Sequence, residues 1–189
     1  MKKFLLSLAI LAAASPAWAV SISDWQQAPI VSGDKTFTLN STNITDTNVT
    51  VNVQDFGFSH QLNLANLAGV TSDFNLNFTV TVSTGPNKIS SANVTQNVFL
   101  TGTPSSTTDW ASGTYFDTLT GSDTGPVNAF DTTSLTIDTD SQGLAVGNTL
   151  SNITYSFTQT NPTVPEPGTL VLAGLGFAGL VIARRRTAK

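Results

Sequence analysis

Between Phe74 and Val82 apolar and polar side chains alternate without a break. Phe74, Leu76, Phe78, Val80 and Val82 occupy one set of positions, and Asn75, Asn77, Thr79 and Thr81 the other. A period of two buries one face of a strand and wets the other. The pattern recurs at Val49, Val51 and Val53, with Thr50, Asn52 and Gln54 between them. It resumes past a turn-prone Gly57 as Phe56, Phe58, His60, Leu62 and Leu64, which places His60 on the apolar side. Lys35 to Leu39 reads as a short strand. After the stop at Gly85-Pro86-Asn87, Val94, Val98 and Leu100 give a less regular one.

Thr101 to Gly113 reads as a Ser/Thr/Gly loop holding Trp110. Tyr115, Phe116 and Leu119 mark a strand, and Gly121 to Pro126 a turn. Leu135 and Ile137 are inward positions of the next strand, which Asp138 to Gly143 then turns. Ile153, Tyr155 and Phe157 form the last strand. Val20 to Ser32 is an irregular lead-in, with Trp25 as an early core anchor. No stretch of the body keeps a helical period over ten residues. Eight or more short strands separated by turn clusters predict an all-β fold, an antiparallel β-sandwich or jelly roll over residues 20–160.

The two ends follow different rules. Lys2 and Lys3, then the apolar run Phe4 to Ala14, then Ser15-Pro16 and Ala17-Trp18-Ala19 have the order of a secretory signal peptide over residues 1–19. Ala17 and Ala19 form its A-x-A cleavage site, so the mature chain is expected to begin at Val20. Export of this kind uses the Sec translocon and a signal peptidase. At the other end, residues 161–189 form a linker and tail. Pro165 and Pro167 hold the chain extended. Residues 168–183 carry no charge, and Arg184, Arg185 and Arg186 follow. Sixteen helical residues reach roughly 24 Å, enough to cross a thinned bilayer with snorkelling arginines. The arginines stay on the cytoplasmic side, which gives an N-out, C-in precursor in the inner membrane.

Val164-Pro165-Glu166-Pro167, the short apolar segment and the closing arginine cluster together resemble the PEP-CTERM sorting signal. The resemblance is confined to the C-terminal tail. It implies recognition by an exosortase-like processing enzyme and cutting near the Pro-Glu-Pro motif. It also implies delivery to the cell surface or extracellular matrix of a Gram-negative bacterium that makes exopolysaccharide and biofilm. The family shares a tail and not a fold, so it implies nothing about the body's architecture.

Composition changes the picture once both ends are set aside. The body holds eleven aspartates but only Lys35 and Lys88 as cations, a formal charge of −9. Such a surface repels nucleic acid, so none is expected as a partner. The absence of cysteine excludes thiol nucleophiles, disulfides and thiolate metal sites. Ser, Thr and Asn make up roughly a third of the chain, a composition suited to strands and turns.

Candidate chemistry is thin. Asp138-Thr139-Asp140-Ser141-Gln142-Gly143 begins like a calcium loop, but Thr149 stands where the bidentate glutamate belongs. Asp138 and Asp140 are the candidate Ca2+ ligands, set against a plain solvated turn. His60 is the only histidine and cannot form a conventional zinc site alone. No catalytic constellation assembles, so the chain reads as no enzyme, with no catalytic residue and no required cofactor. The expected function is a structural, exopolysaccharide- or biofilm-associated surface protein. The alternative is a calcium-assisted carbohydrate-binding module, with Trp25, Trp110, Tyr115 and Tyr155 stacking on sugars. An Asp-based glycoside hydrolase is a distant third.

Overall fold

The computed structural model describes residues 18–83, 85–99, 102–110 and 115–160, with the side chains of Trp18, Tyr115 and Phe116 left out. The chain begins with β1 (Trp18–Ser21), a one-and-a-half-turn helix α1 (Ile22–Gln27), β2 (Ile30–Ser32), β3 (Lys35–Thr42), β4 (Thr50–Asp55) and β5 (Ser59–Ala65). It continues with β6 (Phe74–Val82), β7 (Lys88–Phe99), β8 (Ser105–Trp110) and β9 (Tyr115–Thr120). Last come β10 (Asp123–Thr124), β11 (Asn128–Thr132), β12 (Ser134–Gln142) and β13 (Thr149–Thr160).

These strands build two antiparallel sheets. One has seven strands in the order β1-β4-β5-β13-β7-β10, with β11 also on β7. The other has six, in the order β2-β3-β6-β12-β8-β9. The all-β, two-sheet expectation therefore holds. The strongest alternation, Phe74–Val82, is β6, and its five apolar residues are all buried.

One hydrophobic cluster lies between the sheets. Phe78 from the six-stranded sheet meets Tyr155 from the other edge-on at 5.0 Å. Trp110 lies 6.3 Å from Tyr155 and 6.4 Å from Phe157, and Phe37 lies 6.0 Å from Phe157. Burial of each such ring contributes roughly 1.5–3 kcal/mol, and the edge-on contacts add to that.

Several polar groups inside the core are paired with one another. The Tyr155 hydroxyl donates to Thr139 Oγ1 at 2.8 Å, and Thr139 lies 3.0 Å from Thr108 Oγ1. Burial pushes the Tyr155 phenol well above its ordinary value. Gln96 gives its Nε2 to the Gly121 carbonyl at 2.7 Å and accepts from Ser106 Oγ. Asp117, also buried, accepts from Trp110 Nε1 at 2.7 Å and Asn128 Nδ2 at 2.8 Å.

Four local expectations are corrected. The Val20–Ser32 lead-in contains α1, capped by Ser21 Oγ on the Asp24 amide at 3.0 Å. Trp25 on that helix is buried, as expected, and donates to the Phe37 carbonyl at 2.9 Å. Trp110 closes the strand β8 rather than sitting in a loop, because Ser106 and Thr108 are buried in phase with it. The turn expected over Gly121–Pro126 contains the two-residue strand β10. Phe56 and Phe58 do not continue the inward phase of β5. They sit on the β4–β5 turn, 61% and 60% exposed.

Candidate functional site

Four ionisable side chains converge at one end of the sandwich, beside the last residues of β13. Lys35 opens β3 in phase with Phe37, so the strand's period of two drives it inward and it is fully buried. Its Nζ lies 3.0 Å from Asp34 Oδ1. The other Asp34 oxygen accepts from Asn87 Nδ2 at 3.0 Å and from Gln159 Nε2 at 2.8 Å. One carboxylate thus ties the β2–β3 loop to the approach of β7 and to the end of β13. Burial pushes this carboxyl up, but the bonds from Asn87, Gln159 and Lys35 and the Lys35 charge outweigh it and bring it down to about 2.

His60, second in β5, packs against this group with 1% of its surface exposed. Its Nε2 is 3.9 Å from Asp34 Oδ1 and its Nδ1 3.7 Å from Asp55 Oδ1. Neither nitrogen makes a hydrogen bond. Burial and the Lys35 charge push the imidazole down against the pull of Asp55 and Asp34, so the ring is neutral at neutral pH. Gly33 closes the approach: its φ is +59°, and a Cβ there would collide with Asp55 Oδ2. The two-residue loop Gly33–Asp34 needs that positive φ at its first position.

This arrangement holds charge in place. The Lys35 ammonium is the cation that Asp34 already holds. His60 is closed off from solvent. Sequence reasoning placed His60 correctly on the packed side but missed Asp34, Lys35, Asp55, Asn87 and Gln159. The available signal was the lysine standing in the apolar phase of Lys35, Phe37 and Leu39.

The candidate Ca2+ ligands lie elsewhere and are not in a turn. β12 runs through Asp138 and Asp140 to Gln142. Asp138 stands opposite Asn77 on β6 and Asp109 on β8, and Asp140 opposite Asn75 and Thr107. Both carboxylates share the outer face, where Asp140 Oδ2 accepts from Gln142 Nε2 at 2.6 Å. Asn77, Asp109, Thr136 and Asp138 line a depression of about 240 Å³. Among the described residues no group of three or more histidine or acidic side chains is arranged to hold a metal. Of the four rings expected to stack on sugars, Trp25, Trp110 and Tyr155 are core, and the side chain of Tyr115 lies outside the described ones.

The targeting residues fall mostly outside the described residues. Ala17, the sorting residues Val164, Pro165, Glu166 and Pro167, the segment 168–183 and Arg184, Arg185 and Arg186 all do. Ala19 is described: it lies in β1, opposite Asn52. No helix among the described residues is long and apolar enough to cross a membrane.

Comparison with known families gives one match. Residues 163–186 fit the model of the PEP-CTERM protein-sorting motif. The tail of this chain carries a PEP-CTERM sorting signal. The motif marks an exported protein that passes through a membrane-anchored precursor and is processed by an exosortase. It covers the tail alone, and no curated protein matches the chain.

Proposed function

We propose that residues 20–160 form a non-catalytic structural domain of the cell surface or extracellular matrix in a Gram-negative bacterium. A signal peptide and Sec export it, the tail holds it N-out, C-in in the inner membrane, and an exosortase-like enzyme then processes it. Its partner is a neutral exopolysaccharide of the surrounding biofilm.

The observation that carries the polysaccharide contact is the outer face of the seven-stranded sheet. Asn52, Asn63, Thr154 and Thr95 stand in one row across four strands, and Gln54, Gln61, Ser156 and Asn93 in the next. Both rows are uncharged in a body of formal charge −9, while Asp109, Asp138 and Asp140 lie on the six-stranded sheet. These side chains are half-buried, with Asn63 Nδ2 donating to Thr154 Oγ1 at 3.1 Å, and their amides and hydroxyls are donors and acceptors of the kind that pair with sugar hydroxyls.

The test is co-sedimentation of the purified protein with the host's polysaccharide, beside the double variant Asn63→Asp/Thr154→Asp. Loss of co-sedimentation in the variant supports the reading. Equal sedimentation removes this face from it. No sedimentation by the native protein, with flocs unchanged on gene deletion, ends the structural role.

The calcium-assisted carbohydrate-binding reading keeps Asp138 beside Asp109 but loses its buried stacking rings. Sugar binding abolished by a chelator would restore it. An Asp-based glycoside hydrolase would draw on the same pair, and release of reducing sugar from the host polysaccharide is its test.

A further inference from the structure

The β4–β5 turn presents two phenylalanines to solvent at the point where the chain leaves the domain. Phe56 and Phe58 are more than half exposed, and the Gly57 between them has a φ of +80°. The turn is built to hold its shape. Asp55 Oδ1 accepts from the Gly57 amide at 2.7 Å, and the Phe56 amide donates to the Ser59 carbonyl at 2.8 Å. These bonds need Asp55 and Gly57, and they need no ring at position 56 or 58. Two large apolar side chains held in water by a rigid turn are a cost to the free domain, and such exposure marks a contact surface.

The turn's place in the fold names the contact. The Phe58 carbonyl accepts from the Gln159 amide at 2.8 Å, so the turn touches the last residues of β13. The described chain ends at Thr160, and seven residues, 161–167, separate it from the uncharged segment 168–183. Seven extended residues span at most about 25 Å. The nearest carboxylates do not face outward from the tip: Asp55 binds the Gly57 amide, and Asp34 is occupied by Lys35, Asn87 and Gln159. Asp131, further along that end, pairs with Lys88 at 2.9 Å. The tip itself, Phe56-Gly57-Phe58-Ser59, is uncharged.

We propose that in the uncut precursor the Phe56–Phe58 turn rests in the headgroup region of the bilayer that holds the tail. The two rings then act as a second, weak anchor that fixes which end of the sandwich faces the membrane. This rests on the reading of residues 168–183 as a membrane segment. Aromatic side chains favour that interface, and one weak apolar contact becomes effective when a covalent tether keeps it close. Once the tail is cut the tether is gone and the turn releases.

The experiment uses the full chain in vesicles of zwitterionic phosphatidylcholine, with and without bromine on the acyl chains as quencher. Phe56→Trp and, as an independent reporter, Phe58→Trp are each made in a Trp18→Phe background and compared with that background, whose remaining Trp25 and Trp110 are buried. The added emission is expected to shift to the blue and to be quenched. Val146→Trp, 92% exposed in the loop before β13, is expected to stay red and unquenched. Phe177→Trp reports on the tail itself. Quenching at 177 without quenching at 56 or 58 overturns the proposal while leaving the tail's topology intact. No quenching at 177 shows that the topology has failed, and the proposal falls with it. Equal quenching at 146 removes the preferred orientation and overturns the proposal. A blue shift at 56 that needs no vesicles and grows with protein concentration assigns the rings to a second copy instead, which also overturns it.

Discussion

His60 turns its Nε2 toward the Asp34 carboxylate and stops 3.9 Å short, beyond hydrogen-bonding range. The ring is buried, neutral and unpaired, with Asp34, Asp55 and Lys35 as the charges that face it. Its folded pKa lies below the ordinary value, so the unfolded chain binds its proton more readily. Stability is therefore full above about pH 6.5 and falls as the pH drops below it. Urea unfolding at pH 7.5 and 5.5 is expected to show a lower midpoint at the acid value. His60→Leu is expected to flatten that difference, since it removes the proton site and the two unpaired nitrogens. An unchanged pH response in the variant would count against this role.

Asp34 gives a separate, more acid window. Its carboxyl is depressed to about 2, so it stabilises the fold above about pH 4 and loses that contribution as the pH falls toward 2. Discounted for the solvent that reaches this carboxylate, the shift corresponds to about 1 kcal/mol. Asp34→Asn goes further, because it strands the buried Lys35 ammonium. A loss of about 3 kcal/mol is expected, the low end for a broken buried pair because Asp34 keeps some solvent. Lys35→Met in the same background is expected to recover part of it. A double-mutant cycle by urea unfolding reads the coupling, and additive losses would show that the pair does not act as a unit.

What the sequence made legible followed the strength of its period. β6 and β4 alternate apolar with polar side chains, and both were read directly. β12 was cut short at Ile137 because its inward positions pass from Leu135 and Ile137 to Thr139 and Ser141. Only the partner hydroxyls of Tyr155 and Thr108 explain how Thr139 lies in the core. β7 blurred for a similar reason: Gln96 occupies an inward position, paired by Ser106 and Gly121 across the fold. The charged cluster was invisible because Asp34 and Lys35, Asp55, Asn87 and Gln159 come from four separated segments. The sorting tail was legible because its three parts are contiguous and need no tertiary partner.

Asp138 and Asp109 stand directly opposite each other on β12 and β8. Like charges across antiparallel strands repel, at a cost of roughly 0.2–1 kcal/mol. Asp138→Asn is expected to raise the urea midpoint in chelator, by an amount that shrinks with added salt. The same variant tests the calcium assignment. A calcium-dependent rise in the thermal midpoint of the native protein, absent from Asp138→Asn, would give the depression a metal and reverse the sign of the effect.

The expected signal cleavage falls inside β1. Trp18 pairs with Val53 and Ala19 with Asn52, while Val20 and Ser21 pair with Val51 and Thr50. Cutting after Ala19 removes half of this edge strand and newly bares β4 at Asn52 and Val53. A bare edge offers unpaired amides and carbonyls to water or to another strand. The remainder of β4 is still held by β5 along its full length, from Thr50 opposite Ala65 to Asp55 opposite His60. The fold is therefore expected to survive the cut with only local loosening. Hydrogen exchange of a chain beginning at Val20 should be faster at Asn52–Val53 than in the uncut chain, and unchanged in β13. Uniformly faster exchange would mean that β1 supports the whole sheet. Identical exchange at Asn52–Val53 would mean that this pairing contributes nothing before the cut.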